Sequence, residues 1–220
     1  MLKFLRPIVT VVFTSMESRL QVNRGVIRTV ADARRRQRSS LALEYWGWKK
    51  FFNILRLEIG LRLGSQKIGG TPFEWEIDTT NICQLRCPLC HTGLGNIHRD
   101  KGVMHFDLYK RTIDQIKDYA VWLTLYSWGE PFLNPRIAEF IQYAHQRNIA
   151  TIASTNLNRP LTPEMADSVI RAGLDVMIIS LDGTTQEVYQ QYRIGGQLDR
   201  VMNNARLLVE RKRVLNSATP

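Results

Sequence analysis

No run of about 18 or more uncharged apolar residues occurs in the 220-residue chain, which excludes a membrane-spanning helix. Cysteine is scarce. Three residues, an odd number, are too few for a disulfide framework. Acidic residues are scarce in the first third: residues 1–70 hold 14 Lys and Arg against 4 Asp and Glu, while residues 71–220 hold 16 of each sign. The whole net charge of +10 therefore belongs to the first 70 residues. A clean signal peptide is lacking too. Lys3 and Arg6 precede a short apolar stretch, but Pro7 interrupts it and no small-residue cleavage pattern follows. Hydrophobic residues at 44% and charged residues at 23% are ordinary for a globular chain, which excludes disorder throughout.

The charge asymmetry divides the chain into a basic, mainly helical arm (1–70) and a neutral domain (71–220). The turn-rich stretch from Gly64 to Pro72 marks the boundary. In the arm, Arg34, Arg35, Arg36 and Arg38 come first. Leu41, Tyr45, Trp48, Phe52, Leu55 and Ile59 then recur at helical spacing among Lys49, Lys50, Arg56 and Arg62. The plainest reading is a helix packed on the domain with its cations solvated. An anionic membrane surface is the second reading, and nucleic acid a distant third.

From Phe73 onward, strand-like and helix-like segments alternate. Strands are expected over 73–79, 121–128, 149–155 and 175–181. Helices are expected over 107–119 with Asp107 as N-cap, over 135–147 with Asn134 as cap, over 162–172 closed by Gly173, and over 185–192 and 198–214. Strands alternating with helices imply a parallel sheet, because a parallel pair needs a crossover. The first strand alternates apolar and acidic residues, which suits an edge; the other three are nearly continuous apolar runs, which suits burial. The fold class is thus α/β, with about four βα units.

In parallel sheets ligands bind at the carboxyl ends of the strands. There the sequence places Cys83, Cys87 and Cys90, then Gly129-Glu130-Pro131, then Thr155-Asn156, then Ser180-Leu181-Asp182-Gly183. Three thiols on one tight loop suit a soft metal centre. Structural zinc wants a fourth protein ligand, which His91, His98 or His105 could supply. A four-iron cluster held by three cysteines would keep one iron open. The cysteine loop by itself leaves both open.

The stretches NICQLRCPLCHTG, WGEPFLNP, STNL, ISLDG and YQQYRIGG, in this order and phase, resemble the radical S-adenosylmethionine (SAM) superfamily. The similarity runs from about residue 73 to 214. It is nearest the branch that includes molybdenum-cofactor-biosynthesis, peptide-modifying and SPASM-type enzymes. The resemblance implies a partial (β/α) barrel and two cofactors, a [4Fe-4S] cluster and SAM. Cys83, Cys87 and Cys90 would hold three irons, and SAM would chelate the fourth. Reductive cleavage of SAM would yield a 5′-deoxyadenosyl radical that abstracts hydrogen from a substrate. Leu89 would lie near the adenine, although it cannot stack as an aromatic residue would. Glu130 would accept from the SAM ammonium and Gly129 would let the backbone approach. Trp128 stands where the family has another glycine, which alters the adjoining wall. Asn156 and Ser180 match positions lining the SAM ribose or the cavity, and Arg193 matches an arginine that pairs with the SAM carboxylate. Asp182 is read as a turn cap.

The family's barrel has six units, and four fit before Pro220, so the chain is expected to be an N-terminal fragment of a longer enzyme. The expected partners are an electron donor and an unidentified small-molecule or peptide substrate, with peripheral membrane contact through the arm. Clustered thiols favour a reducing compartment, hence the cytoplasm. The alternative function is a non-catalytic iron–sulfur or zinc-binding module.

Overall fold

The computed structural model describes residues 45–67 and 69–220. The arginine cluster at 34–38, Leu41 and the N-terminal apolar stretch lie outside the described residues. The elements are α1 (Trp48–Arg62), β1 (Glu74–Glu76), α2 (Phe106–Ile116), β2 (Trp122–Thr124), a 3-10 turn (Pro131–Leu133), α3 (Ile137–His145), β3 (Ala150–Thr155), α4 (Pro163–Arg171), β4 (Val176–Ile179), α5 (Gln186–Tyr192) and α6 (Leu198–Val214).

The four strands form one sheet in the order β1-β2-β3-β4, every pair parallel. This is the expected partial α/β barrel, with the alternating first strand at an edge. The ladders are shorter than the apolar runs suggested. Beyond the regular strands, Ile77, Leu125 and Ser180 each donate one further bond to the neighbouring strand, to Thr124 O, Ile152 O and Thr155 O (each 2.9 Å). The chains then diverge into the loops that build the site.

Paired residues share a face, so the register separates two surfaces. Trp122, Ala150, Ile152, Val176 and Ile178 lie on one, and Tyr45 and Ile54 pack against them. Leu123, Ala153 and Met177 lie on the other and meet the helices through Tyr109, Ile113, Phe140, Ile141 and Val169. The amphipathic spacing of α2 puts Tyr109, Ile113 and Ile116 on its buried face.

Thr162 caps α4 by accepting from Met165 N (3.3 Å), and Thr185 caps α5 by accepting from Val188 N (3.4 Å). Gly173, at φ +82°, closes α4 as expected. Two helix starts differ from expectation. The N-cap of α2 is His105; Asp107 lies in the first turn and pairs with Lys110 (2.7 Å). Asn134 Oδ1 accepts from Arg136 N (2.9 Å), the bond expected of a cap, although the regular helix α3 begins only at Ile137.

Helix α1 packs on the domain, but not through the stripe its spacing suggested. Its buried residues are Lys50, Asn53, Ile54 and Glu58. Lys50 Nζ donates to Asn148 O, and Asn53 exchanges two bonds with Thr71 (2.7 and 2.8 Å). Just upstream, the Tyr45 hydroxyl donates to Asp175 Oδ1 (2.5 Å) and meets His145 Nδ1 (2.9 Å). Asp175 Oδ2 in turn accepts from Thr151 N (2.7 Å). Among the described residues, no helix is long and apolar enough to cross a membrane.

Candidate active site at the strand ends

The loop after β1 folds back on itself and is held by its own backbone. Cys90 N donates to Cys87 O (3.2 Å), Leu94 N to Cys90 O (2.8 Å) and Arg86 N to Ile194 O (3.0 Å). The last of these ties the cysteine loop to the segment after α5. A Cβ on Gly93 would lie 2.6 Å from the backbone N and O of Cys87, so only glycine permits this return. The loops after β1 and β2 are pressed together more tightly still. A Cβ on Gly129 would lie 1.7 Å from Thr80 O, and Glu130 N donates to Ile82 O (2.8 Å). Gly129 thus performs a close approach, here of backbone to backbone.

Cys87 is buried; Cys83 and Cys90 are partly so. Burial pushes the Cys83 thiol up, the Leu85 N–H opposes this, and the Glu130 carboxylate adds to it. Burial also pushes the Cys87 thiol up, and the Arg193 guanidinium pulls it back. Two side chains aim donors at sulfur: Asn156 Nδ2 at Cys83 Sγ (3.6 Å) and Arg193 Nη1 at Cys87 Sγ (3.7 Å). Among the described residues, no three His, Cys, Asp or Glu side chains converge closely enough to hold a single metal ion. His91, His98 and His105 are exposed, and His91 packs edge-on against Trp128 (4.8 Å between ring centres). A closed zinc site needs four converging ligands, and this arrangement does not offer them. Three thiols with N–H groups directed at sulfur do fit an anionic iron–sulfur group.

Glu130 is 3% exposed. Its Oε1 accepts from Thr155 Oγ1 (2.6 Å) and Phe132 N (3.2 Å), and its Oε2 accepts from Asn156 N (2.7 Å). Burial raises its pKa, and those three donors oppose the shift. Each carboxylate oxygen can accept two bonds, so Oε2 retains one position. The carboxylate therefore locks the end of β3 to the turn after β2, with a single acceptor site left over.

The turn after β3 is built for display. Leu157, a buried residue, takes a positive φ of 51°, a region that costs a non-glycine residue on the order of 1 kcal/mol. Its N donates to Thr155 Oγ1 (2.9 Å), while Asn204 Nδ2 holds Leu157 O (2.9 Å) and Arg159 O (2.8 Å). Asn156 is thereby directed at the cysteine loop. Besides Cys83, it meets Gln84, whose Nε2 donates to Asn156 Oδ1 (2.8 Å).

Ser180 Oγ lies 3.3 Å from Ser154 Oγ on the neighbouring strand. Arg193, partly buried at the end of α5, bridges Asp182 and Cys87. Asp182 is therefore an ion-pair partner and not the expected cap, because Thr185 already caps α5. Leu89 is 81% exposed. The structure brings Cys83, Cys87, Glu130, Asn156 and Arg193 into one network; Ser180 and Leu89 stand at its margin.

Residues 77–218 match the model of the radical SAM superfamily. The chain belongs to that superfamily. It is 33% identical over 125 residues to mycofactocin maturase MftC of Mycobacterium tuberculosis, covering 57% of this chain and 31% of that protein. It is 27% identical over 135 residues to the AdoMet-dependent heme synthase of Methanosarcina barkeri, covering 61% and 38%. It is 27% identical over 136 residues to a probable GTP 3′,8-cyclase of Methanococcus maripaludis, covering 62% and 45%. The chain thus spans a third to under half of the length of these relatives. The SAM-bound crystal structure of SuiB from Streptococcus suis superposes with TM-score 0.57 at 16% identity, covering 84% of this chain and 43% of that one. That of anSMEcpe with bound AdoMet superposes with TM-score 0.54 at 18% identity, covering 64% and 42%. Radical SAM proteins use a [4Fe-4S] cluster together with SAM.

Within this radical SAM core, the sequence placed Thr155 at a strand end without giving it a role, and it did not single out Gln84 or the pairing of Asp182. Thr155 was legible as a polar residue ending a buried strand. Gln84 and Asp182 carry no signal of their own, since their roles arise from contacts 72 and 11 residues away.

Proposed function

We propose that this chain carries the cluster- and SAM-binding part of a radical SAM enzyme, with Cys83, Cys87 and Cys90 as the three cluster ligands. When bound at these thiols, the cluster and SAM would supply one-electron radical chemistry for hydrogen abstraction from a substrate. The observation that carries the reading is the trio of thiols at the carboxyl ends of a parallel sheet, two of them facing N–H donors from other elements.

The chain's own residues have distinct tasks. Asn156 and Arg193 place N–H groups on the sulfurs of Cys83 and Cys87, which stabilises negative charge there. Arg193 also offers its positive charge to the SAM carboxylate, oriented by Asp182. Glu130 fixes the β2 and β3 ends and presents its spare Oε2 position to the SAM ammonium. Gly129 makes this packing sterically attainable. Ser154 and Ser180 supply hydroxyls on the concave face for the ribose or the substrate. Leu89 offers an apolar surface toward the adenine.

The substrate class is a peptide or a small molecule, delivered with electrons from a separate donor. The name of the PqqA peptide cyclase of Ruegeria pomeroyi, 30% identical over 125 residues, favours the peptide among these. Anaerobic reconstitution with iron and sulfide, followed by SAM and dithionite, tests the reading. The expected products are methionine and 5′-deoxyadenosine. A reconstituted cluster that neither binds nor cleaves SAM would identify the chain as a non-catalytic iron–sulfur module.

A further inference from the structure

Helix α1 lies at the N-terminal ends of the strands, opposite the cysteine loop. The polar contacts that fix it go to residues just before strands: Lys50 to Asn148, Lys49 to Asp118 (2.6 Å) and Asn53 to Thr71, with Tyr45 reaching Asp175. An ordinary amphipathic helix buries its apolar stripe and solvates its polar one. Here Ile54 is buried, but four large apolar residues are outside. Trp48 is 57% exposed, Phe52 51%, Ile59 48% and Leu63 77%. At 3.6 residues per turn these four fall on one stripe running the length of the helix. Trp48 and Phe52 stack along it, with ring centres 6.3 Å apart. Arg56 flanks the stripe on one side, beside Lys49, which is paired with Asp118; Arg62, paired with Glu58 (2.6 Å), lies on the other.

Docking through polar side chains and Ile54 leaves Trp48, Phe52, Ile59 and Leu63 largely uncovered, so this stripe is available to a partner. Charge identifies the kind. Residues 1–70 carry 14 cations against 4 acids, four of the cations being Arg34, Arg35, Arg36 and Arg38 immediately upstream. Two copies of so basic a segment would repel each other. A stripe of Trp, Phe, Ile and Leu between flanking cations suits an anionic bilayer, where rings sit at headgroup depth and cations meet lipid phosphates.

We propose that the outward face of α1 is a peripheral anchor for an anionic lipid bilayer. Because α1 lies at the end of the sheet away from the cysteines, the mouth of the site then faces the aqueous side, and substrate enters from there. The anchor stands independently of the radical chemistry.

The test is sedimentation of the full chain with vesicles of phosphatidylcholine alone or mixed with phosphatidylglycerol. Binding is expected only to the mixed vesicles. It should weaken roughly tenfold or more in the Trp48→Ala/Phe52→Ala double variant and clearly in Arg56→Glu. Brominated acyl chains should quench wild-type fluorescence and quench Trp48→Phe less, a readout that survives if the double variant folds poorly. Any of three results would overturn the proposal: undiminished binding by both exposed-face variants, which assigns the affinity to residues 1–44; dimers abolished by Trp48→Ala/Phe52→Ala without vesicle binding, which assigns the stripe to a second copy; or retention by RNA and not by vesicles.

Discussion

Replacing Gly129 by alanine puts one methyl group where two loops meet. Ordinary contact begins at 3.4 Å, and the new Cβ would stand 1.7 Å from Thr80 O, so the backbones must part by about 1.7 Å. Neither side yields easily. Thr80 Oγ1 donates to Gly102 O (2.9 Å), and Glu130 N donates to Ile82 O (2.8 Å). Overpacking that moves backbone costs about 3 kcal/mol at the upper end of its usual range. At 1.4 kcal/mol per tenfold, that is on the order of a hundredfold in the folding equilibrium. Glu130 is the next residue, so any shift of Gly129 also disturbs the carboxylate lock on Thr155 and Asn156. Urea unfolding measures the first effect, and iron bound per chain after reconstitution measures the second. Gly102→Ala is the control, since its Cβ would meet nothing within 4 Å, and it should change stability by less than about 0.5 kcal/mol. If Gly129→Ala matched the control in both assays, the packing of these loops would be wrong as described.

Thr155→Val removes a donor to a buried carboxylate and should cost about 2 kcal/mol. The lost donor was holding the raised Glu130 pKa down, so the valine raises it further. A carboxyl titrating higher when folded loses stability as pH rises above the ordinary 4.5; the variant's deficit in urea melts should be largest near neutrality and shrink in acid. Lys50, buried against Asn148 O, has its pKa lowered to about 8 from 10.5, with desolvation as the main cause. The folded state then binds fewer protons across that window, so stability should rise by roughly 2–3 kcal/mol between pH 8 and 10.5, and Lys50→Met should remove that rise. Arg193→Ala takes a cation and a hydrogen bond from Cys87 Sγ; the cluster's midpoint potential, read by redox titration, should fall by roughly 60 mV, the one-electron equivalent of ~1.4 kcal/mol. An unchanged potential would separate Arg193 from the cluster.

The parts of the fold and site that depend on short-range pattern were legible in the sequence. The four strands, the Thr162-Pro163 helix start and the Gly173 closure follow from periodicity and from single residues acting on their neighbours, whereas the cap of α5 is Thr185 and not Asp182. The cysteine loop and Gly129-Glu130 were legible because parallel topology sends all strand ends to one side. What could not be read is long-range. The inverted docking of α1 depends on acceptors supplied by Asn148, Asp118 and Thr71 on other elements, against which its own periodicity gives no warning. The enclosure of Glu130 follows from Thr155 and Asn156, 25 and 26 residues further along the chain.

Electron paramagnetic resonance of the reconstituted, dithionite-reduced protein, before and after SAM is added, addresses the open iron site most directly. If Cys83, Cys87 and Cys90 are the only side-chain ligands of a four-iron cluster, SAM would have a coordination position left to it, and adding it should change the cluster signal. A signal that SAM leaves untouched, or a colourless protein holding one tight zinc ion, would contradict the assignment of Cys83, Cys87 and Cys90 to a radical SAM cluster.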